Sequence, residues 1–273
     1  MTTSVRFDPD DEEFYGDMGS IGSPKFDTLL TGSPRNTGSI PRGFTILATG
    51  NQGAGMDLFG KQFAAVAEDP ENTLLISTAE SQKEILNLFK KYEWPTDIMV
   101  RTMGEEYNSA VLERDLQASR YRLEGFSMSD IQRLAQTRFV EIEHHDFLTD
   151  LTSQITALPP FFRATIDNLD FFFARNDANR VISMLRIMQA HTQMNRGLLL
   201  LNCSDDMVDK SVMRELFAIA DIVLDFEVGM LGTEFETRMI IRKFRNGPEN
   251  LKTITFRVTT EEAITPETVE RIV

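Results

Sequence analysis

The sequence predicts an α/β domain: a mainly parallel central sheet with helices on both faces and a C-terminal antiparallel hairpin. Three observations predict it. Apolar runs of strand length alternate with amphipathic stretches of helical period along most of the chain. The runs are continuously apolar, which suits strands buried on both faces of a parallel sheet. The last two, Thr237–Lys243 and Thr253–Val258, instead flank an Asn-Gly-Pro turn, which suits antiparallel pairing.

The elements follow in order. Residues 1–22 are acidic, contain Gly and Ser, and lack periodicity, so they read as a flexible tail ahead of a single domain over 23–273. Ser23 and Pro24 suit the N-cap and first position of a short helix through Leu30. A Gly/Ser/Pro/Asn loop runs from Thr31 to Arg42. Strand Phe44–Ala48 then precedes helix Leu58–Val66, and strand Thr73–Ser77 precedes helix Ser81–Tyr92. Asp97–Arg101 is a third strand. Residues 105–137 are polar, rich in Arg and Glu and helical by pattern, a candidate insertion. Phe139–Glu143 is strand-like, and helix Leu148–Leu158 leads to strand Phe162–Asp167. A long helix spans Ala178–Met194, followed by strand Gly197–Leu201, helix Val212–Ala220 and strand Ile222–Asp225.

Composition narrows the function. The chain of 273 residues carries 28 basic and 42 acidic side chains, a net charge of −14. Tracking along nucleic acid wants a basic face, so nucleic acid is an improbable partner. Only 8 of the basic residues are Lys, against 20 Arg. Low Lys with excess carboxylate fits a salt-adapted cytoplasm, and equally an acidic protein from a GC-rich genome. One cysteine, Cys203, excludes internal disulfides and multi-Cys metal sites. No apolar run approaches the roughly 18 residues of a membrane span, and the N-terminus has no apolar signal core, so a cytoplasmic protein is expected. His144-His145-Asp146 is a poor metal cluster, because neighbours on a strand point to opposite faces. No metal site is expected from it.

Gly50-Asn51-Gln52-Gly53-Ala54-Gly55-Met56-Asp57 follows the first strand and opens a helix. A phosphate loop sits in that context, where backbone N–H groups and the helix N-terminus surround an anion. Its pattern is G-x-x-x-x-G-K-[S/T]. Gly50 and Gly55 hold the spacing, but Met56 stands where the lysine belongs and Asp57 where the magnesium-binding hydroxyl belongs. The lost lysine forfeits about 2–3 kcal/mol of phosphate attraction, about two decades of affinity. Lys61 lies further along the helix and rotated away from the loop, so it is not expected to replace that lysine. If the cradle is otherwise intact, Met56→Lys with Asp57→Thr should restore nucleotide binding.

Several segments together resemble one family. Phe26-Asp27-Thr28-Leu29-Leu30 and Gly38-Ser39-Ile40-Pro41-Arg42-Gly43 precede the first strand, and Thr78-Ala79-Glu80-Ser81 ends the second. Ala164-Thr165-Ile166-Asp167-Asn168, Leu201-Asn202-Cys203-Ser204, Ala220-Asp221-Ile222-Val223-Leu224 and Lys243-Phe244-Arg245-Asn246-Gly247 follow. In this order they resemble the KaiC/GvpD/Rad55-like branch of the RecA-like P-loop ATPase superfamily, an archaeal and bacterial group. The resemblance spans about residues 22–260.

It implies a Walker B aspartate at Asp167, which in an active relative holds magnesium. It implies a water-polarising glutamate at the position of Ala79, with Glu80 the neighbour that could act instead. It also implies that the Lys243 and Arg245 hairpin reaches a neighbouring subunit; two solvated edge-strand charges are the plainer alternative. Met56, Asp57 and Ala79 depart from the family together. The expectation is therefore a catalytically degenerate ATPase acting as a regulatory, signalling or scaffolding subunit. A protein partner is expected, with homo-oligomer formation open. No cofactor is expected, ATP and magnesium being the ones the family would supply. A slow ATPase using Asp167, Glu80 and the loop backbone is the alternative, and a DNA-associated recombinase paralogue a second.

Overall fold

The computed structural model describes residues 18–31, 38–51, 53–66, 71–109, 111–112, 146–231 and 234–267. The predicted strand at 139–143, His144, His145, Gln52 and most of the 105–137 segment lie outside the described residues.

Among the described residues the architecture is a nine-stranded sheet with helices on both faces. A short strand β1 (Met18–Gly19) leads to helix α1 (Pro24–Thr31) and strand β2 (Ile40–Pro41). The parallel core follows: β3 (Thr45–Gly50), α2 (Met56–Ala65), β4 (Asn72–Ser77), α3 (Gln82–Lys91) and β5 (Met99–Thr102). Then come α4 (Phe147–Thr156), β6 (Phe162–Asp167), α5 (Asp170–Phe173), α6 (Ala178–Met194), β7 (Leu198–Ser204) and α7 (Lys210–Ile219). The chain closes with β8 (Ile222–Leu231), β9 (Glu234–Phe244), β10 (Thr253–Thr259) and β11 (Ala263–Pro266). The sheet order is β11-β10-β9-β8-β3-β7-β6-β4-β5. Strands β8 through β5 pair in parallel, and β9, β10 and β11 add antiparallel pairs at the β8 edge.

The continuously apolar strands are buried on both sides, as their composition requires. Leu47 of β3 faces a cluster with Leu151, Ile166, Leu185 and Leu201. Its neighbours Ile46 and Ala48 face the opposite cluster with Phe59, Phe63, Leu200 and Phe226. Alternation along the strand thus feeds two cores, one per face.

Residues 18–22, which the sequence presents as the end of a tail, pack against the domain. Met18 and Gly19 pair with Pro41 and Ile40, and Ile21 is fully buried. Asp27 explains the anchoring. Its carboxylate accepts from Ser20 Oγ at 2.5 Å, Ile21 N at 2.9 Å and Ser39 Oγ at 2.5 Å, tying both flanking segments to α1. A second tie is Arg163, fully buried on β6. It donates to both carboxylate oxygens of Glu71 and to the Ser20 carbonyl. Glu71 also pairs with Arg42, so a buried charge network holds the sheet end remote from the phosphate-loop segment.

Candidate functional site

The carboxyl ends of β3, β4, β6 and β7 lie side by side. Gly50 aligns with Ser204, and Ser77 with Asp167. Ligands of open parallel sheets bind at this edge, where the order changes direction. Here β3 lies between β7 and β8 while the chain crosses through α2 to β4.

The loop from β3 to α2 has the backbone its glycines permit. Gly50 has φ 151°, and a Cβ there would lie 2.4 Å from the Phe226 carbonyl oxygen, so the position admits no side chain. Gly53 and Gly55 take φ 85° and 90°, and Ala54 N donates to Asn51 O at 3.1 Å. Asn51 is exposed and Ala54 buried; Gln52 lies outside the described residues. Met56, at the lysine position, is buried in the apolar cluster of Phe59, Phe226 and Phe256. Asp57 is exposed at the first turn of α2. Asp205 sits next to the loop, its N–H donating to Gly50 O at 3.4 Å. Burial, then repulsion from Asp225, raises its carboxyl above the usual range. Asp57 and Asp205 are thus acids at the loop, while the nearby Arg242 guanidinium is paired with Asp225.

Lys61 occupies the centre of the site. The sequence places it rotated away from the loop, but its ammonium reaches back to the Asp57 carbonyl at the start of α2 and to the carboxyl ends of β4 and β6. Its ammonium lies 2.8 Å from Asp167 Oδ2 and 2.8 Å from Glu80 Oε2. It also donates to the Asp57 carbonyl at 3.3 Å. Its side chain is 1% exposed, against 10% for Asp167 and 37% for Glu80. Burial alone would lower its pKa, but Asp167 and Glu80 together outweigh that and hold it above the ordinary lysine range. The ammonium is therefore a fixed positive charge.

The surroundings are built to hold this arrangement. A Cβ on Gly60 would lie 2.7 Å from Asn202 Nδ2, so glycine lets α2 approach β6 and β7 closely. Asn202 Nδ2 donates to Asp167 Oδ1 at 3.1 Å and to Met56 O at 3.3 Å. Thr165 Oγ1 donates to the Gly60 carbonyl at 3.3 Å. Glu80 is set by Ser77, whose Oγ accepts from Glu80 N at 3.1 Å. Thr78 joins the ends of β4 and β6, donating through N to the Asp167 carbonyl at 2.7 Å. Ala79, between them, is exposed.

Sequence reasoning brings Asp167 and Glu80 forward, and the structure brings them together. It misses the group that joins them. The signal is a lone lysine on the sheet-facing stripe of α2, beside Gly60. Asp170, the residue that could be confused with Asp167, serves a different contact. It accepts from Ser204 N at 3.0 Å and Ser204 Oγ at 2.6 Å, closing the end of β7. Cys203 is buried, and burial followed by Asp170 raises its thiol pKa far above the usual range, so it is no nucleophile.

Lys243 and Arg245 both engage their own chain. Lys243 Nζ donates to the Phe217 and Ala220 carbonyls at 2.7 and 2.5 Å, satisfying the C-terminal end of α7. Burial lowers its pKa. Arg245 Nε lies 2.8 Å from Asp221 Oδ1, and Asp221 is fully buried, its other oxygen accepting from Thr45 N at 2.8 Å. Among the described residues no group of three or more His, Cys, Asp and Glu side chains is placed to hold a metal ion, and no helix is long and apolar enough to cross a membrane.

With this geometry established, two solved structures give the fold its context. The KaiC-like protein PH0186 of the hyperthermophilic archaeon Pyrococcus horikoshii OT3 superposes with a TM-score of 0.59 at 18% identity, covering 92% of this chain and 99% of its own. The flagellar accessory protein FlaH of Methanocaldococcus jannaschii gives 0.58 at 12% identity, covering 86% of this chain and 93% of its own. At these identities the likeness shows a shared RecA-like fold. No curated protein matches the sequence. One family model does match, over residues 111–269, and on that match the chain belongs to the family of unknown function DUF7125.

Proposed function

We propose that this chain is a RecA-like protein that no longer turns over nucleotide and works through protein contacts, as a regulatory, signalling or scaffolding subunit. The observation that carries this reading is the side chain of Met56, buried in the core where a phosphate loop presents its lysine. The loop thus offers an incoming phosphate backbone N–H groups and no cation. Asp57 replaces the hydroxyl that would meet magnesium, and Asp205 adds an acid beside Gly50. A triphosphate at the loop would be repelled by Asp57 and Asp205, while the Lys61 charge is already matched by Asp167 and Glu80.

Magnesium nucleotide, which the fold family implies, does not fit these residues. Asp167, at the position that would serve the ion, already pairs with Lys61. Glu80 pairs with the same ammonium. A slow ATPase remains the second reading, favoured by one observation: the glycine backbone of the loop keeps the conformations a phosphate cradle uses. Turnover measured on the purified chain and on Asp167→Ala separates the two. We expect no magnesium-dependent phosphate release above buffer in either. Release that disappears in Asp167→Ala would establish the slow ATPase. The acidic surface implied by a net charge of −14 argues against a nucleic-acid role.

A further inference from the structure

We infer that the Lys61 ammonium is a tethered counter-ion standing in place of a divalent cation, and that Asp167 and Glu80 form a cation site which Lys61 keeps closed. The inference rests on the reading above that these carboxylates do no nucleotide chemistry. Two carboxylates converge on one point at the carboxyl edge of the sheet, and what sits at that point is an amine 2.8 Å from each. Oxygen ligands of this kind suit hard cations such as magnesium or manganese. A lysine with 1% of its side chain exposed is rare unless paired, and here the ammonium donates to Asp167 and to the Asp57 carbonyl and forms an ion pair with Glu80.

The fit is prepared from every side. Gly60 lets α2 come close enough for Lys61 to reach the two acids. Asn202 holds the other oxygen of Asp167, and Ser77 fixes the backbone of Glu80. An ion and the ammonium would compete for the same oxygens, so the lysine excludes the metal. Removing it would leave two partly buried acids with no compensating charge, and a divalent ion would then supply what the lysine supplied.

Manganese titration of the full chain by calorimetry and by thermal unfolding tests this. Wild type should give no saturable heat and no manganese-dependent rise in melting temperature. Lys61→Met should melt below wild type without the ion, bind one manganese per chain and rise in melting temperature with it. Adding Asp167→Asn to Lys61→Met should weaken that binding at least tenfold. A folded Lys61→Met chain that binds no manganese overturns the inference, as does wild-type binding that Asp167→Asn abolishes. If Lys61→Met folds under neither condition, the neutral triple variant Lys61→Met, Asp167→Asn, Glu80→Gln decides. Recovery of folding supports uncompensated charge as the cause; continued failure makes Lys61 a packing residue and overturns the inference. ATP binding by wild type would instead contradict the preceding functional reading, a result independent of the manganese arms.

Discussion

A single ammonium joins the two acids of the candidate site. Lys61 has its charge fixed by two acids and its position fixed by a glycine beside it. Removing one partner of a buried ion pair leaves the other charges desolvated, at a cost of roughly 3–5 kcal/mol. Lys61→Ala should therefore lower the free energy of unfolding in urea by about that amount. A loss under ~0.5 kcal/mol, the range of ordinary surface substitutions, would show the pair to be unimportant. Met56 leads to a second expectation at this scale. The sequence alone suggests that Met56→Lys with Asp57→Thr restores nucleotide binding. With Met56 buried among Phe59, Phe226 and Phe256, the new lysine enters an apolar cluster, and Lys61 still holds Asp167. The double variant should melt below wild type and show no shift with magnesium ATP; a rise in melting temperature with ATP would mean that the loop can reorient that side chain. Asp167, Glu80 and the loop glycines are legible in the sequence because each ends or follows an apolar strand. The Lys61 contact is not, because a helical rotation says which way a side chain leaves but not which strand ends it meets across the fold.

The secondary-structure elements are the most legible level, where their caps and apolar runs are local. Strand Phe162–Asp167 and helix Ala178–Met194 fall where the sequence places them. Ser81, at the start of a predicted helix, is its N-cap, accepting from Glu84 N at 3.3 Å while the Glu84 carboxylate accepts from Ser81 N at 2.8 Å. This reciprocal pair sets the start of α3, directly after Glu80. The Ser81 backbone and hydroxyl hold the Glu84 carboxyl below its ordinary range. A lowered carboxyl pKa contributes stability above the unfolded value of 4.5, and that contribution fades as pH falls through the lower folded value. Ser81→Ala should cost about 1 kcal/mol near neutral pH. The gap between variant and wild type should shrink in acid below pH 4.5, read by urea unfolding across a pH series; a gap independent of pH would rule out the reciprocal cap. Elements fixed by distant partners escape a reading of the sequence. Strands β1 and β2 have two residues each and exist through their mutual pairing and Asp27. Strand β11 ends in Pro266 and is held from α2, where Gln62 accepts from Ile264 N at 2.9 Å and donates to its carbonyl at 3.0 Å. Strand β8 runs on to Leu231, past Asp225, where the apolar pattern stops, because β9 pairs along its whole length.

Across the whole molecule, two apolar cores grip one sheet, and the site lies at the carboxyl edge where four strand ends meet. The fold class is legible from continuous apolar strands separated by helices, and the antiparallel end from its turn. The proposed non-hydrolysing role of this RecA-like frame rests on the joint arrangement of Met56 in the core, Asp57 at the helix start and Lys61 between the acids. The most direct test of that claim is isothermal titration of the wild-type chain with magnesium ATP. The account predicts no saturable heat up to millimolar nucleotide, matching the weak limit of about −4 kcal/mol in binding free energy. Saturable binding tighter than ~100 μM, about −5.5 kcal/mol, would contradict it.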